Sequence, residues 1–311
     1  MTTKLQYMIW LLFLSLFSCN DPAPDAEATG ITLLEGYSFP YKLGKPDQTF
    51  EMPDELDEIS GLGLSDDGNT LAAVQDEDGE IFLVNRYTGE VQAEIDFWKD
   101  GDYEGIEFVG DDIYVVKSTG TIYEVLRPGG EQQVTNKYNF FLDGDNDVEG
   151  LAYDANHHRL LLACKGSPAH DKAYPGRKGI YAFDLEEKIL REEPVYFVAL
   201  DSVRHYLGQS PAIWKLEKLL EFFNPDEEFG FSPSAISIHP LSGYLYMTSS
   251  VGKMLLVMQP NGQIVHIEKL NKRVHVQPEG LCFDEAGNLF IANEGKGTAP
   301  VIYRFNYKPR H

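Results

Sequence analysis

The chain has 311 residues, 49 of them acidic and 26 basic, for a formal net charge of −23 at pH 7. So large an excess of negative charge argues against nucleic acid and an anionic membrane surface as partners, and leaves room for cations and cationic ligands. Most of that charge needs no explanation beyond solubility.

In chain order, Met1-Thr2-Thr3-Lys4 precedes an apolar run from Met8 to Phe17. The run is too short to span a bilayer and is followed at once by polar sequence, the pattern of an export signal. Leu16-Phe17-Ser18-Cys19 resembles the lipobox of bacterial lipoproteins. That resemblance implies a signal peptide over 1–18, lipidation of Cys19, and attachment to a membrane of the cell envelope through the lipid. Asp, Pro, Ala and Glu crowd residues 19–30, which read as a disordered tether. Residues 31–311 are then one folded domain, long enough for a large core.

Inside that domain a heptad recurs. Glu58-Ile59-Ser60-Gly61-Leu62-Gly63-Leu64 is followed after 44 residues by Asp102-Tyr103-Glu104-Gly105-Ile106-Glu107-Phe108, and after another 45 by Asp147-Val148-Glu149-Gly150-Leu151-Ala152-Tyr153. Two more copies begin at Ser232 and Gln277. A period in the forties whose units hold several short alternating runs marks a β-propeller. The expected fold is all-β, with five blades.

The first repeat reads as four strands, Ser60–Leu64, Leu71–Gln75, Ile81–Asn85 and Val91–Phe97, separated by Asp- and Gly-rich turns. The second reads as Gly105–Val109, Ile113–Lys117, Thr121–Leu126 and Gln133–Phe140. Third strands share a β-branched residue followed by an aromatic, as in Ile81-Phe82, Ile122-Tyr123, Ile180-Tyr181 and Ile302-Tyr303, which suits sheets packed face to face. The third and fourth heptads begin 85 residues apart, room for a sixth blade or for insertions. The spacing favours insertions: a loop over Gly166–Lys178, and a helical one over Ser202–Gly230. In the latter, Ser210 reads as an N-cap ahead of Ile213, Trp214, Leu216, Leu219, Leu220 and Phe223, whose apolar stripe should cover a propeller face. The fifth repeat is one strand short, so a strand from Gly36–Met52 should pair with Val301–Tyr307 and close the ring. Cys164 and Cys282, in apolar strands, read as buried free thiols.

The motifs Glu58-Ile59-Ser60-Gly61-Leu62, Asp76-Glu77 with Gly79, Asp147-Val148-Glu149-Gly150-Leu151 and Gln277-Pro278-Glu279-Gly280-Leu281 resemble those of the SdiA-regulated propeller family. The resemblance covers nearly all of the exported part. It implies a five-bladed propeller with bound calcium, distantly similar to NHL-repeat and phytase-like propellers, some of which are metal-dependent hydrolases. The fourth repeat departs from it, with Ser232-Pro233-Ser234-Ala235 where others carry an acidic residue before Gly.

Aligned first strands give one column, Ser60, Glu104, Glu149, Ser234 and Glu279, and another two residues earlier, Glu58, Asp102, Asp147, Ser232 and Gln277. Equivalent positions of innermost strands converge on a propeller's axis. Three carboxylates ~5 Å apart would repel by about 3 kcal/mol per pair at an effective dielectric of 20. Calcium, which takes six to eight oxygen ligands, neutralises such a set better than zinc, which favours His or Cys. The candidate ligands are Glu104, Glu149, Glu279, Glu58, Asp147 and Asn293. The alternative is a salt-bridged channel, with Lys117 or Lys165 at the ends of second strands pairing with the glutamates.

Other chemistry is sparse. His157-His158 falls in a surface turn, His170 and His205 in the insertions, and Asp143-Gly144-Asp145-Asn146-Asp147 lacks the spacing of an EF-hand loop. No nucleophile elbow, zinc-protease motif or phosphate loop occurs. The sequence supports a lipid-anchored binding module with a calcium site in its channel, presenting a propeller face to a ligand or protein. The alternative is a metal-dependent hydrolase of esters, lactones or phosphates.

Overall fold

The computed structural model describes residues 30–32, 37–168, 174–208 and 230–309. The signal, Cys19, nearly all of the tether, His170 and the helix expected from Ser210 lie outside the described residues.

Five antiparallel sheets surround one axis. Blade one is Ile59–Leu64, Thr70–Gln75, Glu80–Asn85 and Val91–Asp96, paired in chain order from the inside out. Blade two follows with Tyr103–Val109, Asp112–Lys117, Ile122–Leu126 and Val134–Tyr138. Blade three has Val148–Asp154, Arg159–Cys164 and Arg177–Asp184, and its outer edge is broken into Ile189–Leu190 and Tyr196–Ala199, both paired with Arg177–Asp184. Pro194, which has no N–H to donate to the ladder, lies in the break. Blade four is Ala235–Ile238, Leu245–Ser249, Met254–Met258 and Ile264–Lys269; blade five is Pro278–Phe283, Leu289–Asn293 and Val301–Phe305.

The ring closes as the missing strand required. Gln48–Glu51 pairs with Val301–Phe305, Phe50 opposite Ile302, and the Lys308 ammonium reaches Asp47 at 2.9 Å. A second N-terminal strand was not foreseen: Gly30–Thr32 adds a fifth strand to blade four beside Ile264–Lys269. Between these strands Tyr37, Phe39 and Tyr41 pack over the junction of blades four and five, with Phe39 stacked on His266 at 4.0 Å.

Each blade junction holds its own apolar core, so most strands are buried on both faces. The repeated third-strand dipeptide follows from this. In blades one, two, three and five the Ile (Ile81, Ile122, Ile180, Ile302) enters the junction with the next blade, and the aromatic (Phe82, Tyr123, Tyr181, Tyr303) faces the previous one. Successive strand residues point to opposite faces, so two adjacent residues serve two cores.

The 85-residue interval is insertion and not a blade. Within it the described helix is Leu200–Gly208, which begins ahead of the expected N-cap at Ser210. Its Val203 and Tyr206 enter the core between blades three and four, and the Tyr206 hydroxyl donates to the Val265 carbonyl at 3.1 Å. Cys164 and Cys282 are buried free thiols, as expected.

Candidate cation site in the propeller channel

The small residue of each heptad explains how five inner strands meet. A Cβ on Gly61 would lie 3.0 Å from the Cα of Gly105, on Gly105 2.9 Å from the amide nitrogen of Leu151, on Gly150 3.1 Å from that of Ile236, and on Gly280 3.1 Å from that of Leu62. Each glycine lets its strand approach the backbone of the next blade.

One residue earlier, the ladder slips. Register breaks fall between Ile59 and Gly61, Tyr103 and Gly105, Val148 and Gly150, and Pro278 and Gly280. The residue left out of register is Ser60, Glu104, Glu149 or Glu279, the column expected to face the axis, and a bulge re-aims the side chain it carries. The two serines of the column have other work. The Ser60 hydroxyl donates to the Tyr103 carbonyl at 2.5 Å and that of Ser234 to the Pro278 carbonyl at 2.6 Å, so each ties its blade to the next.

The three glutamates remain. Glu104, Glu149 and Glu279 line a cavity of ≈ 10 Å³ floored by the glycine backbones, room for one occupant the size of a water molecule. Burial, then Glu149 and Asp102, push the Glu104 carboxyl far above the ordinary range. Burial, Glu149 and Glu294 raise Glu279 to about 8. Glu149 is raised by burial but pulled back by Lys165, whose ammonium lies 2.5 Å from Glu149 Oε1 and 3.6 Å from Asp147 Oδ2. Unpaired polar atoms accompany these charges. Glu279 Oε2 has no hydrogen-bond partner, and neither atom of the Asn293 amide has one although Asn293 is fully buried.

Of the other expected ligands, Glu58 and Asp147 are half-buried. Glu58 stands beside Asp76, whose carboxyl is raised by burial and then by Glu58, Glu294 and Asp102. Asp147 takes a left-handed backbone (φ 49°) and its carbonyl accepts from the Lys165 amide at 2.7 Å. Asp76 and Glu294 directly follow the second strands of blades one and five, a position that by itself does not reveal this crowding. Of the two lysines of the salt-bridge alternative, Lys165 pairs as described, whereas Lys117 lies with its nitrogen 5.9 Å from the centre of the Tyr103 ring. Among the described residues, no group of three or more His, Cys, Asp or Glu side chains stands ready to hold a metal ion. His157 is exposed and pairs with Asp154 at 2.8 Å, as a surface histidine.

The sequence matches the model of the family described as SdiA-regulated over residues 47–179 and 226–305. The chain belongs to the SdiA-regulated family. No curated protein matches it. Among solved structures, this SdiA-regulated propeller is similar to a glutaminyl cyclase from Myxococcus xanthus, with 11% identity and a TM-score of 0.55 over 86% of this chain and 97% of that one. It is also similar to a PQQ-bound aldose sugar dehydrogenase from Streptomyces coelicolor (13%, TM-score 0.49, 84% and 97%). A streptogramin B lyase is a third (12%, TM-score 0.44, 84% and 72%). At such identities the likeness is one of fold.

Proposed function

We propose that this SdiA-regulated propeller is a binding module of the cell envelope, tethered through lipidated Cys19, whose channel binds one calcium ion. The observation that carries the reading is a pair of buried oxygens without partners: Glu279 Oε2, on the cavity bounded by Glu104, Glu149 and Glu279, and the Asn293 amide oxygen, on the strand paired with that of Glu279. Buried polar atoms are rarely left unpaired, and an oxygen-rich, carboxylate-bearing set suits a hard dication. Glu104, Glu149, Glu279 and Asn293 would hold the ion, with Glu58 and Asp147 as further candidate ligands. The ion would supply charge neutralisation, joining three blades at the axis. The donors fit by type and burial, and closing them on an ion requires Glu149 to give up Lys165.

A cavity of ≈ 10 Å³ is far below the ~300 Å³ at which small-molecule sites begin. This favours a structural ion and a ligand bound at a propeller face over hydrolysis within the channel. The test is thermal melting of protein stripped with chelator. Added calcium should raise stability by RT ln(1 + [Ca²⁺]/Kd), about 2.7 kcal/mol at a hundredfold excess over Kd, and metal analysis should find about one calcium per chain. A melting curve indifferent to chelator and calcium, with no bound metal, overturns the calcium reading. For the tether, Cys19→Ala should release the protein from membranes or block its processing. Unchanged membrane fractionation refutes the lipid anchor.

A further inference from the structure

Lys165 follows the second strand of blade three, and its main chain is held on both sides: its N–H donates to the Asp147 carbonyl at 2.7 Å, and its own carbonyl accepts from the Lys178 ammonium at 2.5 Å. The side chain is placed differently. It runs back to the channel to set its ammonium against Glu149 and Asp147, yet 34% of its surface is exposed, so a four-carbon stem can swing the charge into water at little cost. Two of the carboxylates nearest this cation, Glu149 and Asp147, are among those expected to ligate calcium.

We propose that Lys165 is a built-in competitor for the channel cation: its ammonium stands in for the ion against Glu149 and Asp147, and must leave when a divalent ion binds. The inference rests on the calcium reading above and adds to it the residue that tunes affinity. An ammonium and a dication compete for Glu149, because the dication repels the ammonium twice as strongly as a monovalent ion would at the same distance. The lysine also gives the cation-free channel a positive charge that lets its carboxylates remain buried. A further consequence is selectivity: a weakly charged or strongly hydrated ion does not displace the ammonium, so potassium and magnesium should compete poorly.

The experiment is isothermal titration of the full-length protein, freed of metal, with calcium chloride, comparing the parent with Lys165→Met and Lys165→Arg. Lys165→Met should bind calcium roughly tenfold more tightly, within the usual range of coupling between linked events, while its metal-free form melts below the parent. Lys165→Arg, which keeps the charge, should bind no more tightly than the parent. If Lys165→Met does not fold, Lys165→Gln makes the same comparison. Equal calcium affinity in the parent and the neutral variant overturns the proposal and leaves the calcium reading intact, since a merely structural lysine would change melting alone. Binding by the neutral variant and not by the parent supports competition while removing calcium from the native protein. No binding by either overturns both.

Discussion

Glu124 and Glu279 are each 6% exposed, and they behave in opposite ways. Glu124, in the third strand of blade two, is surrounded by donors: the Tyr114 hydroxyl, the Asn136 amide at 2.9 Å, the Tyr138 hydroxyl at 2.7 Å and the Lys188 ammonium of blade three at 2.5 Å. Burial alone would raise its carboxyl, but these donors outweigh it and hold the group at about 2. Glu279 has other carboxylates for company and an oxygen without a partner, and is raised to about 8. Burial raises both carboxyls, and only where donors surround the group, as at Glu124, do partners overcome it. One glutamate is a finished knot between two blades, and the other stands among carboxylates whose one close cation, Lys165, contacts Glu149 and Asp147 instead.

The sharpest contrast comes from deleting each group. Glu124→Ala leaves Lys188, Tyr114 and Tyr138 without their common acceptor and should cost ~3 kcal/mol, a fall in melting temperature of roughly 6–10 °C for a domain of this size. Glu279→Gln in chelator removes one of several like charges and should cost nothing or stabilise slightly. If both variants lose the same stability, the channel glutamates are structural and the comparison fails.

Acid and base should separate the two sites by sign. Glu124 is depressed in the folded state, so its contribution is complete above the unfolded value near 4.5 and is lost as pH falls toward 2. Glu279 and Glu104 are raised, so the metal-free fold binds more protons than the unfolded chain above pH 4.5, and stability falls as pH rises through about 8 and beyond. Melting of chelator-treated protein should therefore pass through a maximum on the acid side of neutrality. Saturating calcium should flatten the alkaline limb and leave the acid limb alone. A stability that rises steadily from pH 5 to 9 in chelator would contradict the crowding of unpaired carboxylates.

How much of this was legible beforehand differs between the two sites for a physical reason. The channel column is periodic, because a propeller repeats its innermost strand, so Glu104, Glu149 and Glu279 could be aligned from spacing alone. The glycine after each could be read as a repeat mark, but its cause, backbone contact between neighbouring blades, is a property of the closed ring. The serines at 60 and 234 looked like oxygen donors to the axis and proved to be ties between blades, since a hydroxyl beside a neighbouring carbonyl pairs with it first. Glu124 could not be found at all. Tyr114, Asn136, Tyr138 and Lys188 share no spacing, and Lys188 arrives from the next blade through a turn with a left-handed backbone (φ 54°). The strand Gly30–Thr32 was hidden because its neighbours have the composition of a tether, and a three-residue edge strand carries no period to read.

A milder test asks which carboxylates feel one another. Glu104→Gln keeps the shape of the side chain and removes the charge that Glu149 and Glu279 oppose. In chelator it should stabilise the fold by about 1 kcal/mol, since the parent must either bury that charge beside two others or hold a proton that the unfolded chain has released. With calcium present it should shrink the melting response, because a neutral amide is a weaker ligand than a carboxylate. The double variant Glu104→Gln, Glu279→Gln should gain less in chelator than the two single gains added, since each removal relieves part of the same repulsion. Full additivity would show that the two groups do not interact.

The smallest expected effect is at Lys117, and its smallness is informative. From sequence, Lys117 and Lys165 were equal candidates to neutralise the channel, as one ends and the other directly follows the second strand of its blade. They part in the structure: Lys165 meets Glu149 at 2.5 Å, whereas Lys117 lies over the face of Tyr103 with its nitrogen 5.9 Å from the ring centre. A half-exposed cation at that distance from a ring is worth ~0.5 kcal/mol. Lys117→Met, which keeps most of the apolar contact, should therefore change the melting temperature by no more than about 1 °C and leave calcium affinity where it was. Lys165→Met should change both. A Lys117→Met variant that bound calcium as tightly as Lys165→Met would mean that the channel responds to the net positive charge around it and not to one ammonium in contact with Glu149, and the special place given to Lys165 would be lost.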